Sequence, residues 1–180
     1  MKSLIFVLVF AASFDVLSQT LPSREEMYDF SKQFIFGTDS VELLLLKNSD
    51  QWGFYKDTSV FLHDTTYFSN DDLAFFRVQL KEMNHFKWNQ NRLQNVKTIS
   101  RLKLKWIFRN YQKGWKRFCK KYPKRCYRSA TMPIFNANKT YCIFYQSVQC
   151  GGLSGQGSTN IYKLEKGKWI YVDSYGMWVS

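Results

Sequence analysis

The hydrophobic pattern in the first half of the chain predicts two helices and one strand. Ser23 and Glu26 have the spacing of a helix-capping box, and the apolar residues after them recur at helical spacing, so a helix is predicted over Arg24–Ile35. A second helix is predicted over Asp71–Met83, where acidic residues open the first turn and one apolar face follows. Between these helices, aromatic and β-branched residues predict a strand over Trp52–Leu62.

Two further segments fit more than one type of structure. Val41–Leu46 is a short apolar run that suits either a strand or a buried helix segment. Ser100–Phe108 alternates in a way that favours a strand, but its first residue is a good N-cap, which favours a short helix. The polar segment His85–Asn95 is predicted to be a loop in which Trp88 is the packing anchor.

The next segment, Tyr111–Lys121, predicts a basic amphipathic helix. Trp115, Phe118 and Tyr122 recur at helical spacing, and lysine and arginine residues surround them. The helix is expected to end before Pro123, because a proline disfavours helical geometry at the residue before it.

After this helix the pattern becomes typical of β-strands. The predicted strands are Tyr127–Phe135, Tyr141–Val148, Thr159–Leu164, Trp169–Val172 and Met177–Val179. The first of them contains Pro133, which places it at an edge of the sheet, and the second is predicted to be central. We therefore expect an α+β fold, with N-terminal helices packed on a C-terminal antiparallel β-meander. Residues 19–180 would form a single α+β domain, helix-rich over 19–123 and sheet-forming over 127–180.

Residues 1–18 have the features of a secretory signal peptide. Lys2 provides the charged start, Leu4–Ala12 is the apolar stretch, and the predicted cleavage precedes Gln19. The apolar stretch is shorter than the roughly 20 residues that cross a bilayer, and no later segment is long and apolar enough. An uncleaved N-terminal anchor remains the alternative. We therefore expect a secreted or periplasmic protein without a transmembrane segment once the signal is removed.

Export to an oxidising compartment changes the interpretation of the four cysteines, Cys119, Cys126, Cys142 and Cys150. An even number in an exported chain predicts disulfides, and three pairings are possible. The short basic turn between Cys119 and Cys126 favours that pair. The other two cysteines would lie about 26 Å apart on a continuous strand, although a disulfide needs Cα atoms within about 7 Å.

The charge is strongly positive and unevenly distributed. The net charge is +12, and residues 83–164 contain 17 lysine and arginine residues but no aspartate or glutamate. Such a field attracts anionic partners. The candidate anion-binding residues are Lys113, Lys116, Arg117, Lys120, Lys121, Lys124 and Arg125. The competing interpretation is a solvated basic helix face with its aromatic residues buried, and the helical spacing of those aromatic residues favours it.

The segment Cys150–Gly157 holds four of the nine glycines of the chain. Its candidate site residues are Cys150, Gly151, Gly152, Gly155 and Gly157. Glycine-rich backbone can cradle an anion, but this segment lacks the Lys-Ser/Thr ending of a phosphate-binding loop and runs from strand to strand. A connection that needs positive φ, or close backbone packing, therefore explains it better.

Other catalytic or cofactor chemistry finds little support in the sequence. A nucleophilic Cys150 would need a nearby base, and nothing marks the two histidines, His63 and His85, as its partner. The cysteine and histidine spacings do not match a structural zinc site, and no small-molecule cofactor is indicated.

The second half of the chain resembles a group of small exported proteins of uncharacterised function, of the type common in Bacteroidetes. The motifs that carry the resemblance are Gly114-Trp115-Lys116-Arg117-Phe118, Lys121-Tyr122-Pro123, Pro133-Ile134-Phe135-Asn136, Cys150-Gly151-Gly152-Leu153, Gly167-Lys168-Trp169 and Trp178-Val179-Ser180. It is firm over Gly114–Ser180 and weaker over Asp71–Trp88. The resemblance implies export and a fold tendency but no activity. Where the group carries a second cysteine in the glycine segment, this chain has Ser154, so a disulfide within that loop is not possible.

Taken together, these patterns predict a secreted, non-catalytic binding or structural module. Its basic face would contact an anionic polymer or the cell envelope. The alternative is a secreted hydrolase with a site near Cys150–Gly157. The two hypotheses differ in what surrounds that loop, because a hydrolase needs an acid or base beside it.

Overall fold

The three-dimensional structure is a computed structural model that describes residues 20–35, 42–123 and 126–180. The predicted signal peptide lies outside these ranges. The helices are α1 (Arg24–Ser31), α2 (Gln51–Phe61), α3 (Asn70–Met83), α4 (Arg101–Ile107) and α5 (Tyr111–Lys121). The strands are β1 (Leu43–Leu46), β2 (Val96–Ile99), β3 (Tyr127–Ala130), β4 (Ile134–Phe135), β5 (Tyr141–Gly151), β6 (Ser154–Glu165) and β7 (Lys168–Val179).

All these strands belong to one sheet with the order β2-β1-β3-β5-β6-β7, and β4 pairs with β5 as well. Strands β3 to β7 pair antiparallel, as the strand pattern predicted. The α+β fold class is thereby confirmed. The sheet is mixed, however, because β1 comes from the first half of the chain and pairs parallel with both β2 and β3.

Helix α1 covers one face of this sheet. Its Phe30 makes edge contacts with Phe144 of β5 and Tyr162 of β6, at centroid distances of 5.2 and 5.4 Å. The helix begins with the predicted capping box, in which Ser23 Oγ accepts from the Glu26 amide and the Glu26 carboxylate accepts from the Ser23 amide. It ends four residues before the predicted Ile35, which is reached through a turn.

Helices α2, α4 and α5 lie on the opposite face. Residues directly across an antiparallel pair share a face, so Tyr145 of β5 points to the same side as Thr159 of β6. Asp57 of α2 accepts a hydrogen bond from Thr159, and Trp115 of α5 stacks on Tyr127 of β3. Helix α2 therefore lies over one end of this face and α4–α5 over the other, which leaves an opening between them.

Helix α2 replaces the strand predicted over Trp52–Leu62. Phe54 and Phe61 are seven residues apart, two helical turns, and both are buried with their rings 5.1 Å apart. Strand preference of aromatic residues reflects packing on a half-buried sheet surface, and here the sheet is complete without this segment. The strand prediction was wrong because it weighted residue type above the spacing of the two buried rings.

The ambiguous segments are resolved by their ends. Ser100 Oγ accepts a hydrogen bond from the Lys103 amide, so Ser100 is an N-cap and α4 is a helix. The apolar run before α2 is the strand Leu43–Leu46, and β2 had not been predicted at all. The edge position predicted for Tyr127–Phe135 was wrong, because β3 lies between β1 and β5. Pro133 falls in the break between β3 and β4, where no ladder hydrogen bond is lost.

The loop predicted over His85–Asn95 contains a short 3₁₀ turn, Gln90–Arg92, and its anchor is confirmed. Trp88 is 1% exposed, and its Nε1 donates to the carbonyl of Ala130. Among the described residues, no helix is both long and apolar enough to cross a membrane.

Candidate functional site

The disulfide joins Cys126 to Cys150, not Cys119 to Cys126 as predicted. The antiparallel pairing of Tyr127 with Gln149 places the two cysteines directly opposite each other, with Cα atoms 4.2 Å apart. Cys119 is a free, exposed thiol on α5, and Cys142 is free and buried. The prediction failed because it counted residues between cysteines, whereas pairing follows the register of the sheet.

The disulfide excludes Cys150 as a nucleophile, because a disulfide sulfur has no thiol proton to give up. Its neighbours Gly151 and Gly152 close the hairpin between β5 and β6, and the next residue, Leu153, is 89% exposed at the tip. Among the described glycines only Gly167 has a positive φ, so left-handed geometry does not explain this segment. The hairpin tip therefore lacks the left-handed backbone residues that are typical of an anion-binding nest.

Close packing explains the other glycines of the segment. A Cβ at Gly157 would lie 2.5 Å from Nε1 of Trp178, and a Cβ at Gly155 would lie 3.2 Å from Cζ3 at the opposite end of the same indole. The indole therefore lies across both glycines. Gly152 differs from these two, because a Cβ there would make only an ordinary contact of 3.6 Å with Trp115 of α5. Of the two explanations offered by the sequence, close approach is the one the structure supports.

Trp178 borders a cleft of about 560 Å³ between α2 and α4, on the sheet face described above. Two carboxylates line it, Asp50 and Asp57, together with the side chain of Arg101 from α4. Its further lining residues are Leu46, Leu104, Tyr127, Ser129, Tyr145, Ser147, Gln149, Gly176 and Met177. This cleft was not predicted from the sequence, because its lining residues are scattered from Leu46 to Trp178.

A hydrogen-bond network holds the carboxylates of the cleft in place. The Ser129 hydroxyl donates to Asp50 at 2.5 Å, and the Ser129 and Ser147 hydroxyls are 2.6 Å apart. The Thr159 hydroxyl donates to Asp57, also at 2.5 Å. Gly176 allows this approach, because a Cβ there would overlap the Asp57 carboxylate.

The aromatic residues of the cleft are fixed in the same way. Trp178 Nε1 donates to the Tyr145 hydroxyl at 3.1 Å, and the Tyr127 hydroxyl donates to the side-chain oxygen of Gln149 at 2.5 Å. Burial, followed by the negative charge of Asp50, raises the pKa of Tyr127 to about 12. Burial also raises the pKa of Tyr145, so both phenols are neutral hydrogen-bonding groups near pH 7.

The predicted anion-binding residues are only partly brought together. Lys113, Lys116, Lys120 and Lys121 are exposed on α5. Arg117 is half-buried, and its Nη1 donates to the carbonyl of Ile107 at 3.5 Å, at the end of α4. Lys124 and Arg125 lie outside the described residues. The aromatic residues among them behave as the solvated-face interpretation expects, since Phe118 is buried and Trp115 packs on the sheet.

A concave basic site lies instead on the other side of α4. Lys47, Lys87, Arg101 and Lys105 line a groove of about 450 Å³ with Asn48, Ser49, Asn84, Ser100 and Leu102. No acidic residue is among the described residues that line it. Arg101 borders both this groove and the cleft, where its Nη2 lies 3.9 Å from Asp50 Oδ1. Lys47 and Lys87 were not among the predicted anion-binding residues, because they come to lie beside α4 only through the folding of β1 and its neighbouring loop.

Neither histidine forms part of these sites. His63 lies in the turn after α2, with its Nδ1 2.7 Å from the carbonyl of Ser59 in that helix, and His85 borders a separate small cavity with Leu21, Met27 and Met132. Within the described ranges, no cluster of three or more histidine, cysteine or acidic side chains could hold a metal ion.

Comparison of the chain with protein-family models, with curated proteins and with solved structures gave no match.

Proposed function

We propose that the protein is a secreted, non-catalytic binding module whose basic surface holds an anionic polymer. The observation that carries this proposal is the groove in which Lys47, Lys87, Arg101 and Lys105 converge. A concavity lined by charges of one sign focuses the electrostatic field and concentrates ligands of opposite charge. The disulfide supports export, because disulfides persist mainly in oxidising compartments.

Exposed lysines of α4 and α5 add to the basic surface outside the groove. Lys103 of α4 lies over the ring of Tyr122, which follows α5, with its Nζ 5.9 Å from the ring centroid. Lys116 and Lys120 are exposed on α5 itself. A ligand with repeated anionic groups could therefore contact the groove and α5 together, whereas a single small anion would use the groove alone.

Two variants that remove equal charge distinguish the groove from the convex helix surface. Lys47→Gln/Lys87→Gln alters the groove, and Lys116→Gln/Lys120→Gln alters α5. With heparin as the probe, we expect tight binding that falls steeply as salt rises, because cations are released from the polymer. The groove variant should lose about tenfold in affinity and the α5 variant about threefold, since convergent charges act on the same anionic group.

Isothermal titration calorimetry over a range of salt concentrations measures the heparin affinity of each variant. Equal losses in the two variants would show that only the overall charge matters. A larger loss of affinity in the α5 variant would show that the binding site lies on α5, the basic helix proposed from the sequence. Binding to phosphatidylglycerol vesicles without binding to heparin would indicate that the ligand is an envelope lipid and not a polymer. The exposed side chains of Leu102 and Trp106 are suited to insertion at a membrane interface.

A hydrolase is the second candidate function, and the carboxylates of the cleft are the observation in its favour. Asp50 and Asp57 line one concave site, and two carboxylates are what glycoside hydrolysis uses. Incubation with aryl glycosides and aryl esters tests this candidate through release of the aryl alcohol. Hydrolysis that Asp57→Asn abolishes would support it, and an absence of release above the rate in buffer would exclude it.

A further inference from the structure

We propose that the cleft between α2 and α4 binds a neutral saccharide, with Trp178 as the platform on which a sugar ring stacks. The site is separate from the basic groove except for Arg101, which borders both. The inference therefore does not rest on binding of an anionic polymer. It rests on the position of one indole ring and on the mixture of hydrogen-bonding groups around it.

Trp178 is held against β6 in one orientation. Its two ring ends lie over Gly155 and Gly157, which stand two residues apart on one face of β6, so one face of the indole rests on the strand backbone. The indole N–H is already donated to Tyr145. Because Trp178 borders the cleft, the surface that it offers to a ligand is the other face of the ring. A flat, electron-rich face packs well against the C–H groups of a sugar ring.

The walls of the cleft carry both hydrogen-bond acceptors and donors. A sugar hydroxyl both donates and accepts, so its site needs acceptors and donors side by side. Asp50 and Asp57 bring carboxylate oxygens to the cleft wall, where the hydroxyls of Ser129 and Thr159 hold them. A carboxylate has lone pairs for more than one hydrogen bond, so Asp57 can accept from a ligand hydroxyl as well as from Thr159. Arg101 supplies donors at the α4 side, and Gln149 supplies an amide.

Charged and purely apolar ligands fit the cleft less well. Its lining carries both signs of charge, so an anion would be repelled by Asp50 and Asp57 and a cation by Arg101 at the α4 wall. A purely apolar ligand would leave two carboxylates without solvent, which costs several kcal/mol per charge. A neutral ligand with many hydroxyls and one apolar ring face satisfies all these groups. The cleft volume of about 560 Å³ lies within the range of small-molecule sites.

The test uses neutral tetrasaccharides, so that charge does not contribute. Maltotetraose, cellotetraose, laminaritetraose and chitotetraose are titrated into the full mature chain by isothermal calorimetry and tryptophan fluorescence. We expect at least one to bind with a dissociation constant below about 1 mM, and Trp178→Ala to weaken that binding about tenfold. Trp106→Ala is the matched control, because Trp106 is 59% exposed on α4 and borders neither concavity.

Two further variants test whether weaker binding comes from loss of the stacking ring or from a loss of folded structure. Trp178→Phe keeps a ring on the two glycines and should weaken binding about threefold, with an unchanged circular dichroism spectrum. Gly157→Ala would place a Cβ 2.5 Å from Nε1 and tilt the indole off the strand, so it should weaken binding although Trp178 is still present. Lys47→Gln/Lys87→Gln should bind the tetrasaccharide as the wild type does.

Absence of binding for all four tetrasaccharides at about 10 mM would overturn the proposal. So would binding that Trp106→Ala weakens as much as Trp178→Ala. Neither result would bear on heparin binding, which depends on the groove lysines. Conversely, loss of heparin binding in the groove variant with normal tetrasaccharide binding would show two independent sites.

Discussion

Cys126 lies directly across the sheet from Cys150, with their Cα atoms 4.2 Å apart at the point where the chain returns from α5 into β3. The pairing of Tyr127 with Gln149 sets this position. The disulfide therefore anchors the start of β3 to the end of β5, next to the hairpin in which Gly152 lies beside Trp115 of α5.

Removal of this disulfide should destabilise the protein measurably. In Cys126→Ser/Cys150→Ser the unfolded chain is no longer closed into a loop of sequence separation 24. We expect a loss of about 3 kcal/mol and a fall in Tm of about 6–12 °C, measured by thermal unfolding. Cys119→Ser is the matched control, because this thiol is free and exposed. If Cys119→Ser proved as destabilising as the double variant, the pairing would be wrong.

The ion pair between Glu26 and Lys139 should make stability depend on pH. Lys139 Nζ donates to Glu26 Oε1 at 2.6 Å, and this hydrogen bond is the main cause that lowers the pKa of Glu26 from its ordinary value of 4.5. A carboxyl whose pKa is lower in the folded state contributes stability above pH 4.5 and loses it as the pH falls through the folded-state pKa.

Lys139→Gln isolates this contribution. The pair is partly exposed, so at pH 7 the variant should lose only about 0.2–1 kcal/mol. The difference from wild type should shrink towards zero as the pH falls from 4.5 through the lowered folded-state pKa of Glu26, because protonation removes the carboxylate charge in both proteins. Chemical unfolding at pH 7 and at a series of acidic pH values measures these differences. A difference that stays constant over this pH range would show that Lys139 acts through something other than the Glu26 carboxylate.

Replacement of Gly114 in α5 tests how closely α4 and α5 pack. Gly→Ala inside a helix usually stabilises by about 0.5–1 kcal/mol. Here a Cβ would lie 2.5 Å from Cδ1 of Phe108, and overpacking of this kind costs about 1–3 kcal/mol, so the expected net effect of Gly114→Ala is destabilising. Gly152→Ala is the comparison, because its Cβ would make an ordinary contact of 3.6 Å with Trp115. Greater stability in Gly114→Ala would show that the two helices can separate freely.

Phe30 should be among the most costly side chains to truncate. It is 1% exposed and joins α1 to rings from several strands, namely those of Phe135, Phe144, Tyr162 and Trp169. Phe30→Ala should lower the free energy of unfolding by about 3–5 kcal/mol, because the buried ring is lost and a cavity remains. Urea unfolding measures this loss. Leu153→Ala, at an 89% exposed position, should change stability by less than about 0.5 kcal/mol.

Features that depend on neighbouring residues were predictable from the sequence. The capping box at Ser23 and the acidic first turn of α3 involve residues at most three positions apart, so their signals are local. The alternation of β5 to β7 was visible for the same reason. The α+β class and the helix spanning Tyr111–Lys121 follow from these local signals alone.

Helix α2, the disulfide and the cleft depend on contacts between residues that are far apart in the sequence, so local patterns could not predict them. Asp57 meets Thr159 across 102 residues, and Ser129 meets Asp50 across 79. Which carboxylates share a cleft therefore depends on the order of the strands in the sheet. The position of β1 beside β3 is likewise a result of tertiary packing, in which all four residues of β1 become buried. A single sequence records residue types and spacings along the chain. The pairing of distant strands, which placed Cys126 against Cys150 and Trp178 over Gly157, was decided by tertiary packing.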